Sequence, residues 1–137
     1  MASPNGAWLA YVSNETGRYE VYVTPLATPG AGKWAISNNG GSMPRWSHRG
    51  DEIFYMDLRS NLVAVRVTTA PTFAVENRQM LFDASDFLQP SISRRNFDVA
   101  ADDRHFLMVQ RADGARSGQV VVIENWAEEM RRRATPR

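Results

Sequence analysis

Three stretches of this chain write the same pattern, a polar tight turn followed by a short apolar run. They are Ser3 to Val12 (SPNGAWLAYV), Ser47 to Met56 (SHRGDEIFYM) and Ala100 to Val109 (AADDRHFLMV). Setting Ser3, Ser47 and Ala100 in one column aligns Gly6 with Gly50 and Asp103. The same column aligns Leu9-Ala10-Tyr11-Val12 with Ile53-Phe54-Tyr55-Met56 and Phe106-Leu107-Met108-Val109. An aromatic precedes the last two turns, with Pro44-Arg45-Trp46-Ser47 parallel to Asn96-Phe97-Asp98-Val99. A second short run follows each copy: Glu20-Val21-Tyr22-Val23, Leu62 to Val67, and Val120-Val121-Val122-Ile123. A repeat binds the fold more tightly than any other feature, because each copy is one supersecondary unit and neighbouring copies must stack to bury what a single unit leaves open.

The runs are β-branched or aromatic and partly alternating. Turn residues punctuate them, as in Asn14-Glu15-Thr16-Gly17, Asn38-Asn39-Gly40-Gly41 and Ala112-Asp113-Gly114, which is how small antiparallel strands are separated. The pattern predicts strands over 7–12, 20–24, 33–36, 42–46, 52–56, 62–67, 73–82, 96–99, 105–110 and 119–124. A short C-terminal helix is predicted over 125–133, with Trp126 and Met130 on one face. A four-stranded unit with a period of roughly 40–45 residues has the size of one propeller blade.

The units Pro44-Arg45-Trp46-Ser47-His48-Arg49-Gly50-Asp51-Glu52-Ile53-Phe54-Tyr55 and Ser3 to Tyr11 resemble the Pro-x-Trp-Ser-Pro-Asp-Gly repeat of TolB-like β-propellers. Gly32-Lys33-Trp34-Ala35-Ile36-Ser37-Asn38-Asn39-Gly40-Gly41 and the ending Val120 to Glu129 are similar, more narrowly, to the C-terminal propeller of bacterial eukaryotic-like serine/threonine kinases. The likeness spans the chain apart from about Ala84 to Arg95. It departs at the turns, which read Ser-His-Arg-Gly in the second unit and Ala-Ala-Asp-Asp in the third. The resemblance implies an all-β fold: about three blades of a TolB-like, WD-type six-bladed β-propeller, a half-propeller with a short C-terminal helix. Its units are 1–41, 42–83 and 96–126, joined by a linker loop at 84–95. Trp8, Trp46 and Phe97 would fill the space between blades, Gly6 and Gly50 would permit left-handed turns, and Ile53 and Tyr55 (with Tyr11 in the aligned column) would share a strand face opposite Phe54. Propellers of those kinases sit outside the membrane as sensor or interaction domains, so the likeness implies a periplasmic or extracytoplasmic site if the chain derives from such a parent. The chain carries neither the glycine-rich loop nor the catalytic-loop motif of a kinase.

Three blades cannot enclose a channel. The first unit begins at its turn, which predicts that its innermost strand is absent, and the last passes into the helix, which predicts that its outermost strand is absent. Exposed blade faces favour association. Two copies of the chain forming a homodimeric ring, or a parent protein supplying the missing blades, are the two ways to complete it.

Composition narrows the partners. A formal charge of +1 from 16 basic and 15 acidic side chains provides no global field for nucleic acid or an anionic membrane. With Cys 0 there are no disulfides, thiolate nucleophiles or cysteine zinc sites. No segment approaches the roughly 20 apolar residues of a membrane span, and the N-terminus lacks the basic and apolar regions of a leader. A soluble chain, leaderless or already trimmed, is the expectation.

Candidate chemistry is sparse. Ser47, His48 and Asp51 spell a triad, yet near neighbours on one tight turn do not converge as nucleophile, base and orienter. Asp98, Asp102 and Asp103 form an acidic cluster without the spacing of a calcium loop, and capping is the natural role of Asp102 and Asp103. Arg49-Gly50-Asp51 spells an adhesion tripeptide that a repeat turn also generates, and Asn14-Glu15-Thr16 is a formal glycosylation acceptor. No cofactor or metal is implied. Recognition belongs on the non-repetitive loop 84–95 and the turns beside it, which nominates Arg94, Arg95, Asp98, His105 and His48 as ligand-binding residues. The leading expectation is a non-enzymatic module that self-assembles into a ring and binds a peptide, protein or small ligand at the channel mouth. A hydrolase or lyase using Asp98, His105 and arginines in the channel, and a sensor-domain fragment of a kinase-like parent with no independent activity, are the alternatives.

Overall fold

The structure, a computed structural model, describes residues 1–87 and 96–110 and the backbone of 121–123. The described residues form the strands β1 (Trp8–Ser13), β2 (Glu20–Pro25), β3 (Trp34–Ala35), β4 (Ser42–Trp46), β5 (Glu52–Met56), β6 (Asn61–Thr68), β7 (Ala74–Asp83), β8 (Phe97–Val99), β9 (Phe106–Met108) and β10 (Val121–Ile123). The fold is all-β, with no helix among the described residues. Each strand coincides with one of the apolar runs predicted above. The predicted helix 125–133 with Trp126, and Arg94 and Arg95 of the linker, lie outside the described residues.

The strands form three antiparallel sheets in meander order, β1-β2-β3, β4-β5-β6-β7 and β8-β9-β10. One prediction is corrected here. The first unit does not lack an inner strand altogether, because Ala2 bridges Leu9, the Met1 amino group and the Ala10 N–H exchange bonds with each other's carbonyls, and Ser3 N–H donates to Trp8 O. Residues 1–3 therefore pair with β1 as β4 pairs with β5 and β8 with β9.

Period-two alternation decides how the sheets stack. On the middle sheet Ile53, Tyr55, Val63, Val65 and Val67 face the first sheet and join Ala10, Val21, Val23 and Ile36 in one core, edged by Trp8 and Trp34. The intervening residues Phe54, Met56, Leu62 and Ala64 face the third sheet and join Phe97, Val99, Phe106 and Met108 in a second core. Phe54 meets Phe106 edge to face at 5.0 Å, a geometry that contributes about 0.5–1.5 kcal/mol beyond burial. Trp46 lies in the first core and Phe97 in the second, each between two sheets. Their equivalence needs correction, however. Trp46 pairs with Ile53 and Val99 with Phe106, so the structural counterpart of Trp46 is Val99, and Phe97 lies two residues earlier on the same face.

The connection from the first sheet to the second is held by polar groups. Glu20, buried, accepts hydrogen bonds from Ser37 Oγ and Gly40 N–H and pairs with Arg18, while Arg78 of β7 donates to the carbonyls of Ala35 and Ile36 at 2.9 and 2.7 Å. Burial pushes the Glu20 carboxyl up, but the bonds from Ser37, Gly40 and Arg18 outweigh it and hold its pKa below the ordinary value.

Candidate functional site

The three repeat turns lie at corresponding ends of the first and second strands of their sheets and share one backbone geometry. Gly6, Gly50 and Asp103 donate their N–H to Ser3, Ser47 and Ala100 carbonyls, and the N–H of Ser3, Ser47 and Ala100 donates to the carbonyls of Trp8, Glu52 and His105. All three occupants of the fourth turn position are left-handed, with φ of 68°, 77° and 57°. Side chains complete each turn differently. Ser3 Oγ accepts from Trp8 N–H and donates to Asn5; Ser47 Oγ accepts from the N–H of Gly50, Asp51 and Glu52 and donates to Asp51. Ala100 has no hydroxyl, and Asp102 Oδ1 instead accepts from the N–H of Arg104 and His105.

Asp103 reaches into the neighbouring turn. Its carboxylate, 2% exposed, accepts from His48 N–H at 2.6 Å and Arg49 N–H at 3.2 Å and lies 2.8 Å from His48 Nδ1. Burial alone would raise its pKa; the bonds from His48 and Arg49 reverse this and lower it. The third sheet is thereby fastened to the second at this end.

Where residues 1–4, the end of β4 and β8 come together they leave an open pocket of about 270 Å³. Met1, Ala2 and Pro4 line it from the first unit, Trp46, Ser47 and His48 from the second, and Asp98 and Val99 from the third. Beside it the buried Arg45 guanidinium lies 5.6 Å from the Phe97 ring centroid and its Nε 3.5 Å from Asp98 Oδ1. The structure thus brings together two of the nominated ligand residues, His48 and Asp98. His105 is engaged elsewhere, its Nδ1 on Asp102.

The sequence marks Trp46 only as a filler between sheets. Among the described residues its indole Nε1 is the buried side-chain polar atom with no hydrogen-bond partner, although the ring is only 3% exposed. The signal available in sequence was chemical: a tryptophan carries an N–H into any core, and buried donors are nearly always satisfied. Asp103 was legible as a capping residue but not as the cap of a different unit.

Reactive chemistry finds little support in these geometries. Ser47 Oγ is wholly buried and saturated by its own turn, and the His48 ring is turned to Asp103 instead of Ser47. Among the described residues no three His, Asp or Glu side chains are grouped to hold a metal ion. No protein-family model and no curated protein matches the chain.

Proposed function

We propose that the chain is a non-enzymatic interaction module, three blades of a TolB-like β-propeller that pair with a second copy to close a six-bladed ring and bind a ligand at the channel mouth. One observation carries this reading: equivalent positions are buried in the middle of the stack and uncovered at its ends. Ile53 and Tyr55, facing the preceding sheet, are 0% and 4% exposed. Their counterparts in the first sheet, Leu9 and Tyr11, have no preceding sheet among the described residues and are partly exposed. At the other end Leu107 and Val109 match the buried Phe54 and Met56, yet are 43% and 37% exposed. The Leu107 side of one copy therefore offers the surface that the Leu9 side of another would cover, and two such contacts about a two-fold axis close the set. The pocket shared by all three units then lies where the inner strands face the ring axis, with Ser47 held in its own turn and the His48 ring on Asp103.

The test is absolute mass by light scattering behind size exclusion across a dilution series. A particle near twice the 15.4 kDa chain mass, lost in Leu107→Glu, supports the ring. A monodisperse monomer at all concentrations overturns self-assembly and transfers the missing blades to another polypeptide.

A further inference from the structure

We propose that the outer half of the second sheet's face toward the third sheet is the seat of the chain's own arginine run, Arg131–Arg133, with Arg131 set against the carboxylates of Glu52 and Glu76. The seat lies within one copy, whether or not a ring closes.

The first two sheets show how such a face is covered. Trp8 pairs with Pro25 and Val23 with Trp34, as Glu52 pairs with Arg66 and Ala64 with Gln79, so register matches Trp8 with Glu52 and Trp34 with Gln79. On the first sheet this outer half is aromatic. Phe73, from the connection between β6 and β7, closes it, its ring 5.0 Å from Trp8 and 5.3 Å from Trp34. On the second sheet the same positions are polar: Glu52, Arg66, Glu76, Asn77 and Gln79 stand around Ala64 and leave an open pocket of about 380 Å³. No described residue of the third sheet lines it.

Register also names the residue due at that place. Val65 pairs with Ile53, and Ile123 pairs with Phe106, the counterpart of Ile53, so Ile123 stands in the third sheet where Val65 stands in the second. Phe73 follows Val65 by eight residues, and Arg131 follows Ile123 by the same interval. That interval carries Phe73 onto the preceding sheet, so the chain is long enough.

Charge agrees with position. Two carboxylates line the pocket against one guanidinium, Arg66, which is 63% exposed and whose Nη2 comes only to 3.8 Å from Glu52 Oε1, too long for a hydrogen bond. One negative charge is left over. Glu76 accepts from Thr68 Oγ1 at Oε1 and keeps Oε2 for an outside donor. Arginine supplies the charge and a planar fork of donors that fits a carboxylate, whereas an apolar cover like Phe73 would bury these groups unpaired. Aromatic on aromatic at the first junction thus becomes arginine on carboxylate at the second.

The experiment uses the full chain carrying Arg131→Lys, which places a primary amine at that position; Lys33 is the one native lysine. A carbodiimide, which joins amine to carboxylate without a spacer, is applied to a mixture of ¹⁵N-labelled and unlabelled protein, and the cross-linked peptides are mapped by mass spectrometry. The expected product joins position 131 to Glu76 or Glu52 within one isotope label, and it is lost in Glu52→Gln/Glu76→Gln. Should lysine be too short to couple, trypsin reads the native arginines. Cleavage after Arg131–Arg133 should be faster in Glu52→Gln/Glu76→Gln than in wild type, with cleavage after the exposed Arg59 as reference. Cross-links of mixed label would assign the seat to a second copy's arginines and overturn the placement within one chain. Coupling to other carboxylates alone, or tryptic cleavage unchanged by the double variant, overturns the seat itself, while the mass measurement above judges ring closure separately.

Discussion

The second and third repeat turns are the same structure built with opposite residues at one position. Gly50 takes its left-handed φ of 77° at no steric cost, and a Cβ there would meet nothing closer than Pro4 Cδ at 3.5 Å. Asp103 takes φ of 57° with a full side chain. Aspartate tolerates this region better than most residues, but tolerance is not a reason to be there. The reason is the work of the carboxylate, which satisfies two backbone N–H groups of the second turn and meets the His48 ring. A position that serves only its own turn can be glycine. A position that must also hold the neighbouring unit spends some backbone strain on a connection that glycine cannot make.

Replacing Asp103 tests that argument with the largest effect. Asp103→Ala keeps the strained backbone and deprives His48 and Arg49 N–H of their acceptor, so a loss of about 3 kcal/mol in urea unfolding is expected. Asp103→Gly relieves the strain while losing the same bonds, and should fall short of wild type by about 2 kcal/mol. Equal losses in the two variants would show that strain contributes nothing. The pH dependence gives a second handle. Asp103 has a folded pKa below the unfolded carboxylate value of about 4, so its contribution is complete above that value and is lost as pH falls below it and through the folded pKa. Wild type should lose more stability than Asp103→Asn between pH 6 and pH 3, and parallel profiles would contradict the assignment; Glu20, lowered by its own bonds, is the expected source of slope shared by both.

Ser47 comes next. Its hydroxyl closes three N–H groups of the second turn, a task that Asp102 performs for the third, where the corresponding residue is Ala100. Ser47→Ala should cost about 2 kcal/mol by thermal or urea unfolding. Asp102→Ala is expected to cost less, because its turn is exposed and water can replace the carboxylate. The reverse order would mean that burial does not govern what these turns are worth.

Much of this was legible in the chain. Alternating apolar runs and turn residues placed every described strand, because both faces of the middle sheet are buried and a one-residue slip would carry Ile53 and Tyr55 into the wrong core. The column linking Gly6, Gly50 and Asp103 was legible for the same reason, since a repeat preserves backbone geometry even where it changes the residue. What escaped depends on three-dimensional proximity. The pairing of residues 1–3 with β1 adds backbone bonds that no apolar run announces. The reach of Asp103 to His48 crosses from one unit to another. The pocket is assembled from three separated segments, of which His48 and Asp98 could be nominated by residue type, while Trp46 was hidden by the packing role its size suggests. Residue type alone matches aromatic Phe97 with Trp46, whereas the strand register matches Trp46 with Val99.

Gly50→Ala isolates the backbone side of the comparison. The site has room for a methyl group, with Pro4 at ordinary contact distance, so only the left-handed conformation is penalised. A loss of about 1 kcal/mol is expected. Gly50→Asp should cost no more than Gly50→Ala, since aspartate adopts this region more readily, and a larger loss would show that Asp103 owes its place to its neighbours alone.

Trp46→Phe should have the smallest effect and its sign is informative. The tryptophan fills the space between the first two sheets, and shortening it to phenylalanine removes part of its bicyclic ring from the core, which by itself destabilises. The same change deletes the one described buried side-chain donor that has no acceptor, and removing an unsatisfied polar group returns its desolvation cost of about 1–3 kcal/mol. The two terms oppose each other, so a net change within about 1 kcal/mol of zero is expected in urea unfolding. A loss of several kcal/mol would mean that Nε1 already has a partner in solution, such as a buried water.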